Sequence, residues 1–554
     1  SKGAMATDDY EIRLAYTGGS VNTSYINDPR WTQPGYGDLM TIDWQDEVFR
    51  LAPKQNYTLS VSNSTDQSSY RVSLGYVDQK GIAINTSYKR LNLRANMQTT
   101  IFNRITLGVN LAPSMSWNNG GKADAVAVLS MVPFAEPEAG IYTGAEPYSR
   151  YSWAGTRVSP VATLERKSSM TEDARINTSA FIRAELFDGL RAEVTGSYNF
   201  RSTQARSFLP SSISNRWNTG EGYYATANRT DGRNHSYLFQ TLLNYDNSFG
   251  KHTVGAMAGF SLEARTSYSS RLAATHFPDN LVESFDMTDV DLTTAYATIG
   301  YPGRMASFFG RINLDWENKY LLEVNLRADQ SSRFLSNNRT GYFPSASVAW
   351  RMDQEAFMED WVEKGLSNLK FRLSYGSLGN NSVGNYDAIA TYANKPSSGS
   401  AFNYTLNNAL ILGLAQARLA NPDLTWESTY MTNVGFDFGL VNNKLTGTVD
   451  YFNKKTKDIL INLPAPDVHG TASIPKQNSA TVTNQGIEMT LGWQDQIGDF
   501  SYGVNGNFTF VKNKVNKFKG TDKGGISYDG ANIIWEGHSI NSQYLLRADR
   551  IIQT

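Results

Sequence analysis

Three carboxylates, Asp286, Asp289 and Asp291, fall close together in the segment Phe285 to Leu292. Oxygen ligands at such spacing can hold a calcium ion, but the glycine and closing glutamate of a calcium-binding loop are missing, so a solvated acidic loop is the simpler reading. The five histidines, His235, His252, His276, His469 and His538, are far apart, with no His-Glu-x-x-His pair and no Gly-x-Ser-x-Gly serine. Neither a zinc hydrolase nor a serine esterase is written in the chain. Cysteine is absent, which removes disulfides, thiol nucleophiles and Cys-based zinc sites. Gly520 to Gly525 lacks the spacing of a phosphate-binding loop. No catalytic residue, metal ligand or cofactor site is therefore assigned, and the chain does not read as an enzyme. What remains is a set of aromatic side chains in polar segments: Trp31, Tyr148, Tyr151, Trp153, Trp217, Tyr223 and Tyr224. Flat apolar rings beside hydrogen-bonding groups hold sugars and peptides well. The competing reading has the same rings packing loops together or sitting at a membrane interface.

The elements that must position these rings are strands. In Leu369-Lys370-Phe371-Arg372-Leu373-Ser374-Tyr375-Gly376, apolar residues hold every odd position and polar or small ones every even position. The same alternation runs through Tyr70 to Tyr76, Leu91 to Gln98, Ile105 to Leu111, Leu445 to Tyr451 and Tyr502 to Phe510. Alternation of period two marks a sheet with two unlike faces. About 17 such segments recur, several of about 10 to 16 residues, against a usual strand of about 5 or 6. Ten residues at about 3.3 Å, tilted by about 40°, rise roughly 25 Å, the height of the apolar band of a membrane barrel. A basic side chain facing lipid at mid-membrane costs about 2–4 kcal/mol. Lys370 and Arg372 are therefore expected in the lumen, with Leu369, Phe371, Leu373 and Tyr375 toward lipid.

Composition agrees with that fold class, an all-β transmembrane antiparallel barrel. The 554 residues carry 51 Lys and Arg against 52 Asp and Glu, a net charge of -1, which removes the electrostatic footprint of a nucleic-acid binder. Mean hydropathy is -0.42, and no apolar run approaches the ~18 residues of a membrane-spanning helix. Barrel strands hide their lipid face in exactly this kind of polar average, because every second residue faces the lumen. The 30 Tyr, 26 Phe, 11 Trp and 45 Gly, against 17 Pro, suit long strands ending in aromatic girdles. Ser1 to Met5 has no apolar core of a signal peptide.

Connections divide into two kinds. Asp188-Gly189, Asn318-Lys319, Asn442-Asn443 and Gly498-Asp499 read as tight hairpins. Segments near 21–53, 117–170, 206–232, 267–302, 379–422 and 513–540 read as long loops. Short turns alternating with long loops is the asymmetry of an outer-membrane barrel, with the long loops outside the cell.

Particular stretches then carry a family resemblance. They are Leu326 to Phe334, Phe343 to Arg351, Leu369 to Asn380, Asn421 to Glu427, Asn484 to Glu488 and Glu536 to Ser542, in that order. Thr41 to Trp44 and Gly75 to Gly81 look like first barrel segments of the same group. The chain resembles the SusC/RagA-like branch of the TonB-dependent transporters of Bacteroidetes. The resemblance implies energy-coupled import of glycans, oligosaccharides or peptides across the bacterial outer membrane. It implies a SusD-like surface lipoprotein as partner, and a lumenal plug worked by the TonB–ExbB–ExbD complex. A ferric-siderophore or vitamin receptor and a surface adhesin or structural barrel are the alternatives. Family barrels have about 22 strands and a preceding plug. Residues 1–554 accordingly read as one partial barrel of about 17 or 18 strands, without plug or closing strands and with two unpaired edges.

Overall fold

The computed structural model describes residues 40–41, 43–120, 128, 134–135, 160–211, 224–277, 285, 291–393, 403–463, 472–519, 526–529 and 532–544. Seventeen strands of these residues wrap into a barrel. The first four are β1 (Lys54–Ser64), β2 (Ser68–Lys80), β3 (Ser87–Ile101) and β4 (Ile105–Asn119). Four longer ones follow: β5 (Ser168–Phe187), β6 (Leu190–Leu209), β7 (Ala225–Phe249) and β8 (His252–Phe277). Next come β9 (Asp291–Ile299), β10 (Gly303–Trp316), β11 (Tyr320–Ser331), β12 (Thr340–Arg351) and β13 (Asn368–Asn380). The last are β14 (Glu427–Leu440), β15 (Leu445–Ile461), β16 (Gln477–Ile497) and β17 (Phe500–Phe518). Sequential neighbours pair antiparallel, except that β9 and β10 share one partner, β8, instead of pairing with each other. Strand β8 is long enough to hold two partners on one edge, β10 along its first half and β9 along its second. Together β9 and β10 act as one lane broken at Gly300 to Pro302.

Among the described residues, β1 pairs on one side only, with β2, and β17 on one side only, with β16. Every residue of β1 is exposed.

The tight hairpins fall where the sequence places them. Gly189, Asn318, Asn442 and Gly498 all take positive φ, the conformation such turns demand and which Gly and Asn adopt at least cost. All these turns lie at one end of the barrel. Two of the long segments are shorter than expected, because β6, β7 and β8 run on into them: β7 spans 25 residues and β8 spans 26. Near the start, Trp44 does not open a barrel strand. Asp43 accepts from the backbone N–H groups of Gln45 and Asp46 and caps a short helix, α1 (Trp44–Val48).

The wall itself has no apolar core, since one face meets lipid and the other the lumen. Exposed outward side chains such as Phe308, Ile312, Leu314 and Trp316 on β10, and Leu322, Val324 and Leu326 on β11, form the apolar band. Aromatic rings bound it on both sides. At the turn end stand Phe187, Phe249, Trp316, Tyr320 and Phe500, with His252 edge-on to Trp316 at 5.0 Å. Toward the loop end, Tyr198 and Tyr237 lie 5.0 Å apart, and Tyr198 shares a 3.0 Å hydrogen bond with His235. Tyr237 and Phe249 are twelve residues apart on β7, roughly 30 Å at the usual rise and tilt. That matches a bilayer's apolar core with its girdles.

Buried apolar clusters sit instead at the loop end. One packs Trp44 and Val48 of α1 on Ala83, Val161 and Leu164. A second joins Phe334, Phe343, Val383, Ala388, Leu424 and Trp426. Two more gather around Phe208 and Phe277 and around Val515 and Phe518. The loop bases are thus the best-packed part of the molecule.

Candidate functional site

Three ion-pair knots line the inward face. On β13, Lys370 lies opposite Asp437, and Arg372 lies opposite Gly435, which faces Asp450 on β15. Arg372 donates to Asp437 through Nε at 2.9 Å and Nη2 at 2.7 Å, and stands 3.1 Å from Asp450 through Nη1. A two-pronged guanidinium–carboxylate contact is the strongest form of this pairing. Gly435 makes it possible: a Cβ there would lie 2.3 Å from Asp450 Oδ1 and 2.9 Å from Arg372 Nη2. Leu373 and Tyr375, the alternate residues, are exposed, so the β13 faces divide as the charge argument expects.

The second knot surrounds Asp173 on β5, which is buried. It accepts from Arg175 Nε at 2.7 Å and from Arg201 Nε at 2.7 Å, with Thr203 Oγ1 at 3.4 Å. The third surrounds Asp329, also buried. Arg327 donates to both its oxygens, at 2.8 and 2.9 Å, and to Ser307 Oγ at 3.0 Å. The same guanidinium lies 5.3 Å from the centre of the Phe309 ring. The knots at Arg372 and Asp329 balance their own charge, whereas two guanidiniums meet one carboxylate at Asp173 and leave one positive charge in excess. Such a polar surface wets a pore.

Above the wall, the segment between β13 and β14 folds back onto the rim. Arg418 bonds Asp387 Oδ1 and the Tyr386 carbonyl, both at 2.8 Å. Lys476 Nζ donates to the Ser382 carbonyl at 2.8 Å, and Asn421 Nδ2 to the Lys476 carbonyl at 2.8 Å. Trp426 fills the space between Phe334 and Phe343, with ring centres 5.3 and 5.4 Å away. Glu427 accepts from Asn380 Nδ2 at 3.2 Å and from the Leu460 N–H at 3.1 Å. The stretch Asn421 to Glu427 is therefore a structural latch. Glu536 to Ser542 acts likewise: Glu536 accepts from the Phe518 N–H at 2.7 Å, and Ser539 donates to the Asn513 carbonyl at 3.1 Å.

Of the loop aromatics, Trp31, Tyr148, Tyr151, Trp153, Trp217 and Tyr223 lie outside the described residues. Tyr224 sits half-buried at the base of β7, its ring 3.5 Å from the centre of the His276 ring. His276 has a positive φ of 63° at a break in the β7–β8 register, and its Nδ1 lies 3.2 Å from Asp291 Oδ2. Asp291 is thus engaged with a histidine, while Asp286 and Asp289 lie outside the described residues. Reasoning from sequence missed the three knots. Their members alternate with apolar residues as any lumen residue does, and only the register shows which charges meet.

Residues 133–537 match the family described as TonB dependent receptor-like, beta-barrel. The chain belongs to that family, and it is an outer-membrane barrel of the SusC-like kind. Among curated relatives, it is 27% identical over 519 residues to TonB-dependent receptor P3 of Formosa agariphila, covering 91% of this chain and 50% of the relative. It is 26% identical over 577 residues to TonB-dependent receptor SusC of Bacteroides thetaiotaomicron, covering 98% of this chain and 55% of the relative. The solved RagAB peptide transporter superposes with a TM-score of 0.77 at 23% identity, over 97% of this chain and 61% of that one, a likeness of fold. The chain spans about half the length of the curated relatives it matches.

Proposed function

We propose that this chain is the barrel wall of a TonB-dependent importer that carries glycans, oligosaccharides or peptides across the outer membrane. Family membership over residues 133–537 carries the reading. The polar lumen, its charges held in ion pairs, supports it, since large polar cargo needs a wetted path. The relative SusC bears the name of a TonB-dependent receptor, and the RagAB structures are described as those of a peptide importer. In this reading a SusD-like lipoprotein covers the loop end, and a plug, drawn from length that the relatives have beyond this match, answers to the TonB–ExbB–ExbD complex. The loop aromatics, from Trp31 to Tyr224, contact the cargo. The protein catalyses no reaction of its own.

The test is uptake by cells carrying or lacking the gene. Fluorescent oligosaccharides and peptides are offered with and without an uncoupler of the proton-motive force. Gene-dependent, uncoupler-sensitive entry of one polymer class supports the reading and names the cargo. Entry of ferric chelates alone would replace it with the siderophore alternative. Unchanged uptake with lost surface attachment would leave a binding scaffold.

A further inference from the structure

The outer face of β5 to β11 carries a groove of ≈ 870 Å³ at the loop-side edge of the apolar band. Its floor is made of small side chains, Ala180, Gly196, Ala264 and Ala306, and its sides include Tyr237 and Leu262. At its upper edge stand two arginines, Arg304 and Arg339. Registers fix the height: Arg304 lies opposite Ala264, and Ala264 lies opposite Tyr237 of the aromatic girdle. Below Arg304, every second residue of β10 faces outward as Ala306, Phe308, Gly310, Ile312, Leu314 and Trp316, without a charge. Arg304 is thus the single charge on this face of β10, placed where lipid tails give way to headgroups.

Neither guanidinium has a carboxylate within 4 Å among the described residues, although the arginines of the lumenal knots do. Backbone bonds hold Arg304 in place, its N–H donating to Ser332 Oγ at 2.9 Å and its carbonyl accepting from the Ser332 N–H at 2.9 Å. Arg339 spends one donor on the Phe334 carbonyl at 3.4 Å. The remaining donors of both are free to take an anion at the interface, where a basic side chain costs little and phosphate is abundant. Apolar space below and unpaired cationic donors above match one ligand class: a lipid with a phosphorylated headgroup and long acyl chains.

We propose that this groove is a binding site for a phosphorylated lipid of the outer leaflet, with its phosphate on Arg304 and Arg339 and an acyl chain along Ala264 and Ala306. The inference needs the barrel's membrane setting and is independent of what the lumen carries. The experiment is native mass spectrometry of the complete gene product in mild detergent, titrated with phosphorylated lipid A, with dephosphorylated lipid A and with inorganic phosphate alone. Retention of the phosphorylated form is expected, falling about tenfold or more in the Arg304→Gln/Arg339→Gln double variant. A lumenal control, Arg265→Gln, should keep it. Equal retention of the dephosphorylated lipid overturns the phosphate assignment. Displacement by inorganic phosphate overturns the lipid assignment in favour of a free anion. Should the double variant fail to fold, Ala306→Trp fills the groove without altering charge, and unchanged retention there overturns the site.

Discussion

Arg372 grips Asp437 with two donors, at 2.7 and 2.9 Å, and reaches past Gly435 toward Asp450 on the next strand but one. Three strands are tied through one guanidinium, and the tie exists because the residue between has no side chain. Removing one partner of such a pair leaves the others desolvated without compensation. Arg372→Gln should lower barrel stability by about 1–3 kcal/mol, below the cost at a fully buried site, because the lumen admits water. Gly435→Ala should do comparable harm by steric intrusion alone. Heat-modifiability on gels, read as the temperature at which the folded band vanishes, measures both. An unchanged temperature for Gly435→Ala would mean the wall yields at that point.

The rim latch makes a separate prediction. Trp426 donates through Nε1 to the Arg339 carbonyl at 3.1 Å and packs between two phenylalanines. Truncating a large buried aromatic costs about 3–5 kcal/mol where the site cannot collapse. In Trp426→Ala that loss should fall on the rim, leaving the strand ladder intact. Limited proteolysis should then cut between residues 381 and 426 far faster than in the parent, while the heat-resistant barrel band persists. Loss of the band as well would show that the latch holds the wall.

A pH effect follows at the other end. Glu355, in the connection between β12 and β13, accepts from Tyr320 Oη at 2.6 Å and Trp350 Nε1 at 3.0 Å, with Lys319 Nζ at 3.5 Å. The Tyr320 hydroxyl first, then the Trp350 N–H, stabilise the carboxylate and hold its pKa below the ordinary value of 4.5. A carboxyl depressed on folding contributes stability that is complete above the unfolded value and is lost as pH falls through the folded one. The loosening therefore belongs below pH 4.5. Fluorescence of Trp350 should change in that window, and Glu355→Gln should remove the transition. A transition that persists in the variant would assign it to another group.

How much of this was legible beforehand depends on what each residue must satisfy. Within the bilayer, Leu373 and Arg372 obey opposite solvents, so alternation names the strand and both faces. Beyond it that constraint ends. The upper parts of β7 and β8, such as Arg229, Asp231 and Arg271, have polar residues on both faces and read as loop although they are strand. Trp44 shows the same gap from another side. A cap by Asp43 decides for helix, and nothing in the alternation of four residues reveals it. The turns were readable because Gly189 and Asn442 carry the positive φ in their own chemistry. The knots were not, because Asp173 and Arg201 meet only once the β5–β6 register is set.

The β5–β6 turn allows a sharp check on that point. Gly189 has a φ of 84°, and a Cβ there would lie 2.5 Å from the Asp246 carbonyl, which belongs to the neighbouring β7. Gly189→Ala thus meets both a backbone penalty of about 1 kcal/mol and a clash with rigid backbone. Gly498, with φ 58°, has open space around it, so Gly498→Ala carries the conformational penalty alone. The first variant should lose clearly more thermal stability than the second. Equal losses would show that the β6–β7 seam can shift to make room.

Tyr224 separates cargo contact from rim packing. Its ring lies against His276, which is itself held in an unusual backbone conformation and paired with Asp291. If cargo stacks on this ring, Tyr224→Phe should keep most of the uptake, since the flat face survives. Tyr224→Ala should reduce apparent affinity about 2- to 10-fold, the worth of one aromatic contact. The heat-resistant band should stay where it is, because a half-buried rim ring supports little of the wall. His276→Ala offers the opposing control: it frees the tyrosine without removing it. Reduced affinity in Tyr224→Ala together with normal affinity in His276→Ala would place the tyrosine on the cargo. Equal behaviour of both variants, with a lowered melting temperature, would return Tyr224 to a packing role and move the search for the binding surface to the remaining loop aromatics.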